Sequence, residues 1–115
     1  RHAICADGSQ MLYISGTAAI RGEESCKADI EEQTALTMEN IAKLADKETL
    51  ETYSVKEAAE LEYKMLRIYL KHNFNLEVVK NWFERYYPTT PKVFLLADIC
   101  REELLIEIEG IAAEK

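Results

Sequence analysis

An α+β fold in the order ββαβαββ, with helices on one face of a single mixed sheet, is predicted by three features of this sequence. Two long stretches repeat apolar residues at steps of three and four, five shorter ones are apolar or alternate, and each helix stands between strands. At 115 residues the chain fits one domain spanning residues 1–115. Folding at that size hides roughly two-thirds of the unfolded surface, enough for a core without disulfides or a structural metal.

Ala3–Ala6 and Met11–Ser15 flank Asp7-Gly8-Ser9-Gln10, where glycine supplies the positive φ of a tight connection, so they predict a β-hairpin. After a polar loop, Asp29 and Glu32 have capping-box spacing ahead of Ile30, Thr34, Thr37, Ile41 and Leu44. That predicts a helix from Asp29 to about Ala45 with one buried stripe. Ser54 and Glu57 repeat the spacing before Ala58 and Ala59 and predict a short helical piece in the connection. From Tyr63 to Lys71 the residues alternate, with Leu66, Ile68 and Leu70 on one face of a strand and Met65, Arg67 and Tyr69 on the other. Asn75 is placed to cap a helix carrying Leu76, Val79, Phe83 and Tyr86, which Pro88 stops near Tyr87. Val93–Asp98 and Leu104–Ala112 complete the strands, joined by a polar "DICREE" segment.

Fourteen Lys and Arg against 21 Asp and Glu leave a net charge of -7, with no basic cluster as a local exception. That charge repels phosphate backbones and anionic surfaces, so neither nucleic acid nor a membrane is expected as a partner. A hydrophobic content of 48% with 4 Gly and 2 Pro excludes disordered and collagen-like classes. No apolar run approaches the roughly 18–20 residues of a membrane span, and "RHAICADGSQ" lacks the apolar segment of a secretory signal, so a cytoplasmic protein is expected. Cys5, Cys26 and Cys100 are odd in number, show neither CxxC nor zinc spacing, and read as reduced thiols. Glu23, Glu24 and Cys26 lack a His at ligand spacing, so no metal or other cofactor is expected. The first residue is Arg1 and not Met, which leaves room for a preceding segment.

The last strand reads Leu105-Ile106-Glu107-Ile108-Glu109-Gly110, and alternation projects Glu107 and Glu109 from the same side. On an enclosed surface, desolvation and mutual repulsion both disfavour ionisation of such a pair, and one carboxyl can then serve as a proton donor. A solvent-facing row of charges is the alternative. Ser15-Gly16-Thr17 is placed at the end of the second strand, where hydroxyls and amides can hold an anionic or carbonyl oxygen, or simply end the strand in a turn. Arg101 can grip a carboxylate with its planar fork or pair with Asp98 or Glu102, while Cys100 can pack or line a pocket. His2 and His72 read as solvated, and Trp82, Tyr86 and Tyr87 as core and interface aromatics.

Taken in order, "LYISGTAAI" (Leu12–Ile20), Gln33-Thr34, Asn40-Ile41 and "ADICREELLIEIEGIA" (Ala97–Ala112) resemble the YjgF/RidA superfamily over nearly the whole chain. The resemblance implies a chorismate mutase-like fold and a homotrimer with ligand pockets between subunits, the sheets meeting in a central barrel. Within the superfamily, "SGTAAIRGEES" and "ADICREELLIEIEG" are similar to the C-terminal domain of chorismatases, once called pteridine-dependent deoxygenases. Chorismatases hydrolyse the enol ether of chorismate and release pyruvate, so the resemblance implies a hydrolase acting on a small carboxylated metabolite. It assigns the acid to Glu107, with Glu109 tuning it, Ser15, Gly16 and Thr17 framing a substrate oxygen, Cys100 lining the pocket and Arg101 meeting an anionic group. Tyr13 falls beside that pocket, where a smaller residue is expected.

The sequence departs from the families it resembles at two further points. Chorismatases carry a preceding domain of similar fold, which these 115 residues do not include. RidA-type imine deaminases place an Arg two residues after the proline opening the fourth strand, whereas Pro91 is followed here by Lys92 and Val93, which argues against deamination. The older L-PSP endoribonuclease label sits poorly with the negative charge. A non-enzymic trimeric ligand-binding or scaffold domain is the alternative function.

Overall fold

The computed structural model describes residues 2–4, 8–21, 24–25, 29–46, 49–51 and 60–114. Strands β1 (His2–Ile4) and β2 (Gln10–Ala18) pair antiparallel, with Gly8 in the connection at φ 90°, a conformation costly for any residue with a Cβ. The predicted hairpin is therefore present, but β2 does not end at Ser15-Gly16-Thr17; it bulges there and continues to Ala18. Within the predicted polar loop, β3 (Ile20–Arg21) and β4 (Glu24–Ser25) form a separate two-stranded hairpin.

Helix α1 (Ile30–Ala45) begins as expected, the Asp29 side chain accepting a 2.9 Å hydrogen bond from the Glu32 backbone N–H. Its buried face is wider than one stripe, comprising Ile30, Gln33, Thr34, Leu36, Thr37, Met38 and Ile41. Leu44, assigned to that face by spacing, is instead 47% exposed, because the half-buried Ala45 takes the inward position in the last turn. Residues 49–51 are helical, and the helical piece predicted around Ser54 and Glu57 lies outside the described residues.

Strand β5 (Leu61–Leu70) leads through a 3₁₀ turn (Asn73–Asn75) into helix α2 (Leu76–Tyr86). Asn75 does not cap α2 with its side chain: its backbone is already helical, whereas a capping residue needs an extended one. Val79 and Phe83 are buried, while Tyr86, expected on the same face, is 54% exposed. The helix closes on a 2.8 Å bond from the Tyr87 N–H to the Phe83 carbonyl, just before Pro88.

With β6 (Lys92–Leu96) and β7 (Ile106–Glu114), the main sheet has the order β1-β2-β7-β5-β6. β6 lies parallel to β5, the α2 crossover supplying the connection such pairing needs, and β7 lies antiparallel between β2 and β5. Leu12 and Ile14 of β2, Leu66, Ile68 and Leu70 of β5, and Ile106, Ile108 and Ala112 of β7 bury one sheet face with Met38 and Ile41 of α1 and Val79 and Phe83 of α2. The order ββαβαββ is thus present, with one extra hairpin before α1 and both helices against one sheet face. The opposite face carries the partly exposed residues of β2, β5, β6 and β7.

Candidate active site on the open face of the sheet

In β7 the burial alternates strictly: Ile106, Ile108, Gly110 and Ala112 point into the core, and Glu107, Glu109, Ile111 and Ala113 lie on the open face. The two glutamates therefore share one surface, about 6.8 Å apart along the strand. Their surroundings differ. Glu109 lies opposite Arg67 of β5, whose Nε is 2.7 Å from Glu109 Oε1. The Tyr69 hydroxyl donates to the same oxygen at 2.5 Å. That hydrogen bond above all, then burial and the neighbouring carboxylates, raises the Tyr69 phenol above its ordinary pKa, with Arg67 pulling the other way.

Glu107 lies opposite Tyr69 on one side and Ala18 on the other, next to an irregularity in β2. Ile14 pairs with Gly110 and Thr17 with Ile108, so Ser15 and Gly16 together oppose Glu109 in a β-bulge. The Thr17 hydroxyl braces it, donating to the Ser15 carbonyl at 2.9 Å. Gly16 makes room for the acid: a Cβ there would fall 2.9 Å from the Glu107 carboxyl carbon and 3.0 and 3.2 Å from its oxygens. The glycine is required for close approach of a side chain, not for an unusual φ.

The structure thus gathers Ser15, Gly16, Thr17, Glu107 and Glu109 at the junction of β2 and β7. Tyr13 lies further along β2, opposite Ile111 and exposed. Cys100 and Arg101 are exposed on the loop between β6 and β7. Lys71 ties that loop to the end of β5 by donating its Nζ to the Arg101 carbonyl at 2.8 Å and the Glu102 carbonyl at 2.9 Å. Two motif residues of α1 hold the frame. Gln33, fully buried, donates to the Glu103 carbonyl at 2.9 Å and accepts from the Leu105 N–H at 2.8 Å, which sets the entry of β7. Asn40 donates to the Ala18 and Ile20 carbonyls, each at 3.0 Å, and so fastens the far end of β2.

Arg67 and Tyr69 are site residues that the sequence placed only on the outer face of β5. The signal for them was the alternation Met65-Arg67-Tyr69 running against Glu107-x-Glu109, which acquires meaning only once β5 and β7 are known to be neighbours. Among the described residues no group of three His, Cys, Asp or Glu is arranged to hold a metal ion, and no helix is long and apolar enough to cross a membrane.

No family model matches the sequence. Among curated proteins it is similar to a chorismatase of Streptomyces rapamycinicus, 31% identical over 105 residues covering 89% of this chain and 31% of that protein. It is also similar to a 3-hydroxybenzoate synthase of Streptomyces hygroscopicus, 29% identical over 110 residues covering 92% of this chain and 32% of that protein. The chain therefore spans about a third of the length of the curated relatives it matches. Among solved structures a chorismatase superposes with a TM-score of 0.79 at 27% identity, covering 96% of this chain and 34% of the other. A Rid-family protein, YyfA of Yersinia pestis, gives a TM-score of 0.67 at 22% identity over 96% of this chain and 89% of the other, which speaks for the fold alone. With the strand order, the Gly16 bulge and the Glu107-x-Glu109 strand already in place, these likenesses show that the chain has the fold of the Rid-family structures and is similar, in sequence and in structure, to about a third of a chorismatase.

Proposed function

We propose that this chain carries the acid site of a chorismatase-like hydrolase, which cleaves the enol ether of chorismate or a similar small carboxylated metabolite. The observation that supports this reading is the Glu107 carboxyl lodged over the Gly16 bulge, beside a second carboxylate that is already paired with Arg67 and Tyr69. Enol-ether hydrolysis needs a proton delivered to the terminal alkene carbon. Glu107 donates it, water captures the resulting oxocarbenium carbon and returns a proton to Glu107, and the hemiketal collapses to pyruvate and the ring alcohol. Ser15, Gly16 and Thr17 frame a substrate oxygen with their hydroxyls and amides, Arg101 meets an anionic group, and Tyr13 and Cys100 border the space.

The open sheet face exposes Tyr13, Val93 and Leu95, large apolar side chains that three copies of the chain would cover by turning these faces inward. Such a homotrimer would enclose Glu107 at a subunit boundary, leaving room for the ligand and the attacking water. The test is incubation with chorismate while pyruvate release is followed, for the natural protein and for Glu107→Gln. A loss of about 100-fold or more in the variant is expected for a general acid. Equal background from both proteins would reject the hydrolase and leave a non-enzymic ligand-binding domain.

A further inference from the structure

We infer that Arg67 is the residue that grips the ligand's carboxylate on this face, and that Glu109 is its positioning partner and not a second acid. The inference rests on the proposed reading of Glu107 as the reacting group. Two carboxylates lie side by side on a chain of net charge -7, so an anionic ligand reaches Glu107 only if a cation lies within its own length. Arg101 stands apart on the exposed loop between β6 and β7, where it is read as meeting a separate anionic group, and two lysines are committed. Lys71 donates its ammonium to the Arg101 and Glu102 carbonyls, and Lys64 pairs with Glu62.

Arg67 differs in position and in what remains of its fork. In the β5–β7 register it is opposite Glu109 and diagonal to Glu107, a spacing of about 7–8 Å that a small carboxylated metabolite can bridge. Its side chain is 46% exposed, and its ion pair with Glu109 is made through Nε, which turns the side edge of the guanidinium to Glu109 and leaves the end-on edge as the geometry for a planar, two-point grip on a carboxylate. Glu109 is the less exposed partner at 28%, and the Tyr69 hydroxyl fixes the oxygen that Arg67 meets. A carboxylate held from both sides in this way is a fixed anchor for a guanidinium. The division of labour is then clear: Glu107 reacts, Arg67 binds, and Glu109 with Tyr69 aims Arg67.

Titration calorimetry on the Glu107→Gln protein tests this without turnover, using chorismate and 3-hydroxybenzoate as probes. Adding Arg67→Gln is expected to weaken binding of both at least tenfold, with Arg67→Lys recovering only part, because a point charge lacks the fork. In the otherwise natural protein, Arg67→Ala should raise KM for pyruvate release, and millimolar ethylguanidinium should restore it. Glu109→Gln should raise KM with little change in kcat. Unaltered binding of both probes by the Arg67→Gln protein, or no binding of either by the parent, would overturn the inference. Loss of pyruvate release in Glu107→Gln is scored separately, so failure of the acid assignment is distinguishable from failure of the Arg67 assignment.

Discussion

Gly16 and Glu107 are closely juxtaposed, and they respond to substitution in an unusual way. The atoms that a Cβ at Gly16 would strike belong to the end of the flexible Glu107 side chain, which can swing aside at little cost in stability. Gly16→Ala is therefore expected to fold with a urea midpoint close to that of the natural protein, yet to slow pyruvate release by about 10–100-fold, since displacing a catalytic group by an ångström is costly. A large stability loss with normal activity would contradict the packing argument. A second prediction concerns Tyr63, whose phenol burial pushes up to about 12, charge repulsion from the neighbouring Tyr87 phenolate adding to the rise. A folded-state value above the unfolded one near 10 means that the contribution to stability is complete below about pH 10 and is lost as pH climbs towards 12. Urea unfolding at pH 9 and pH 11.5 should show that loss, and Tyr63→Phe should shrink it.

Among the elements, β7 carries most of the design, because it separates β2 from β5 and alternates core residues with the carboxylates of the open face. Gly110 lets that central position close. A Cβ there would run into the Met65 carbonyl oxygen and fall 2.8 Å from a Leu66 methyl. Backbone cannot step aside as a glutamate tip can, so Gly110→Ala is expected to cost about 1–3 kcal/mol by urea denaturation, a typical overpacking penalty. The contrast between the two glycines is a test of mechanism: one substitution acts on activity, the other on stability. Helix α1 contributes through Gln33 and Asn40, which fasten the entry of β7 and the exit of β2 and so hold the bulge in register with Glu107.

For the molecule as a whole, the consequence of the fold is an uncovered sheet face with apolar side chains around a charged centre. Light scattering at micromolar concentration is expected to give three subunits, and Leu95→Glu, which places a charge on that face, to give monomers with diminished pyruvate release. A monomer in the natural protein would remove the shared-pocket part of the proposed function. The Arg67–Glu109–Tyr69 cluster would then be open to solvent, where an exposed ion pair contributes little.

Periodicity and capping signals in the chain already specify the two helices, the five main strands, the Gly8 turn and the common face of Glu107 and Glu109, because each depends on residues near one another in sequence. Leu44 and Asn75 show where local spacing fails, as packing against Ala45's side of α1 and the preceding 3₁₀ turn settle their environments. The bulge at Ser15-Gly16, the close approach of Glu107 that Gly16 allows and the pairing of Arg67 and Tyr69 with Glu109 could be decided only by tertiary structure. Each is a matter of strand register, and register joins residues some 40 to 90 positions apart through a shared core that no local pattern records.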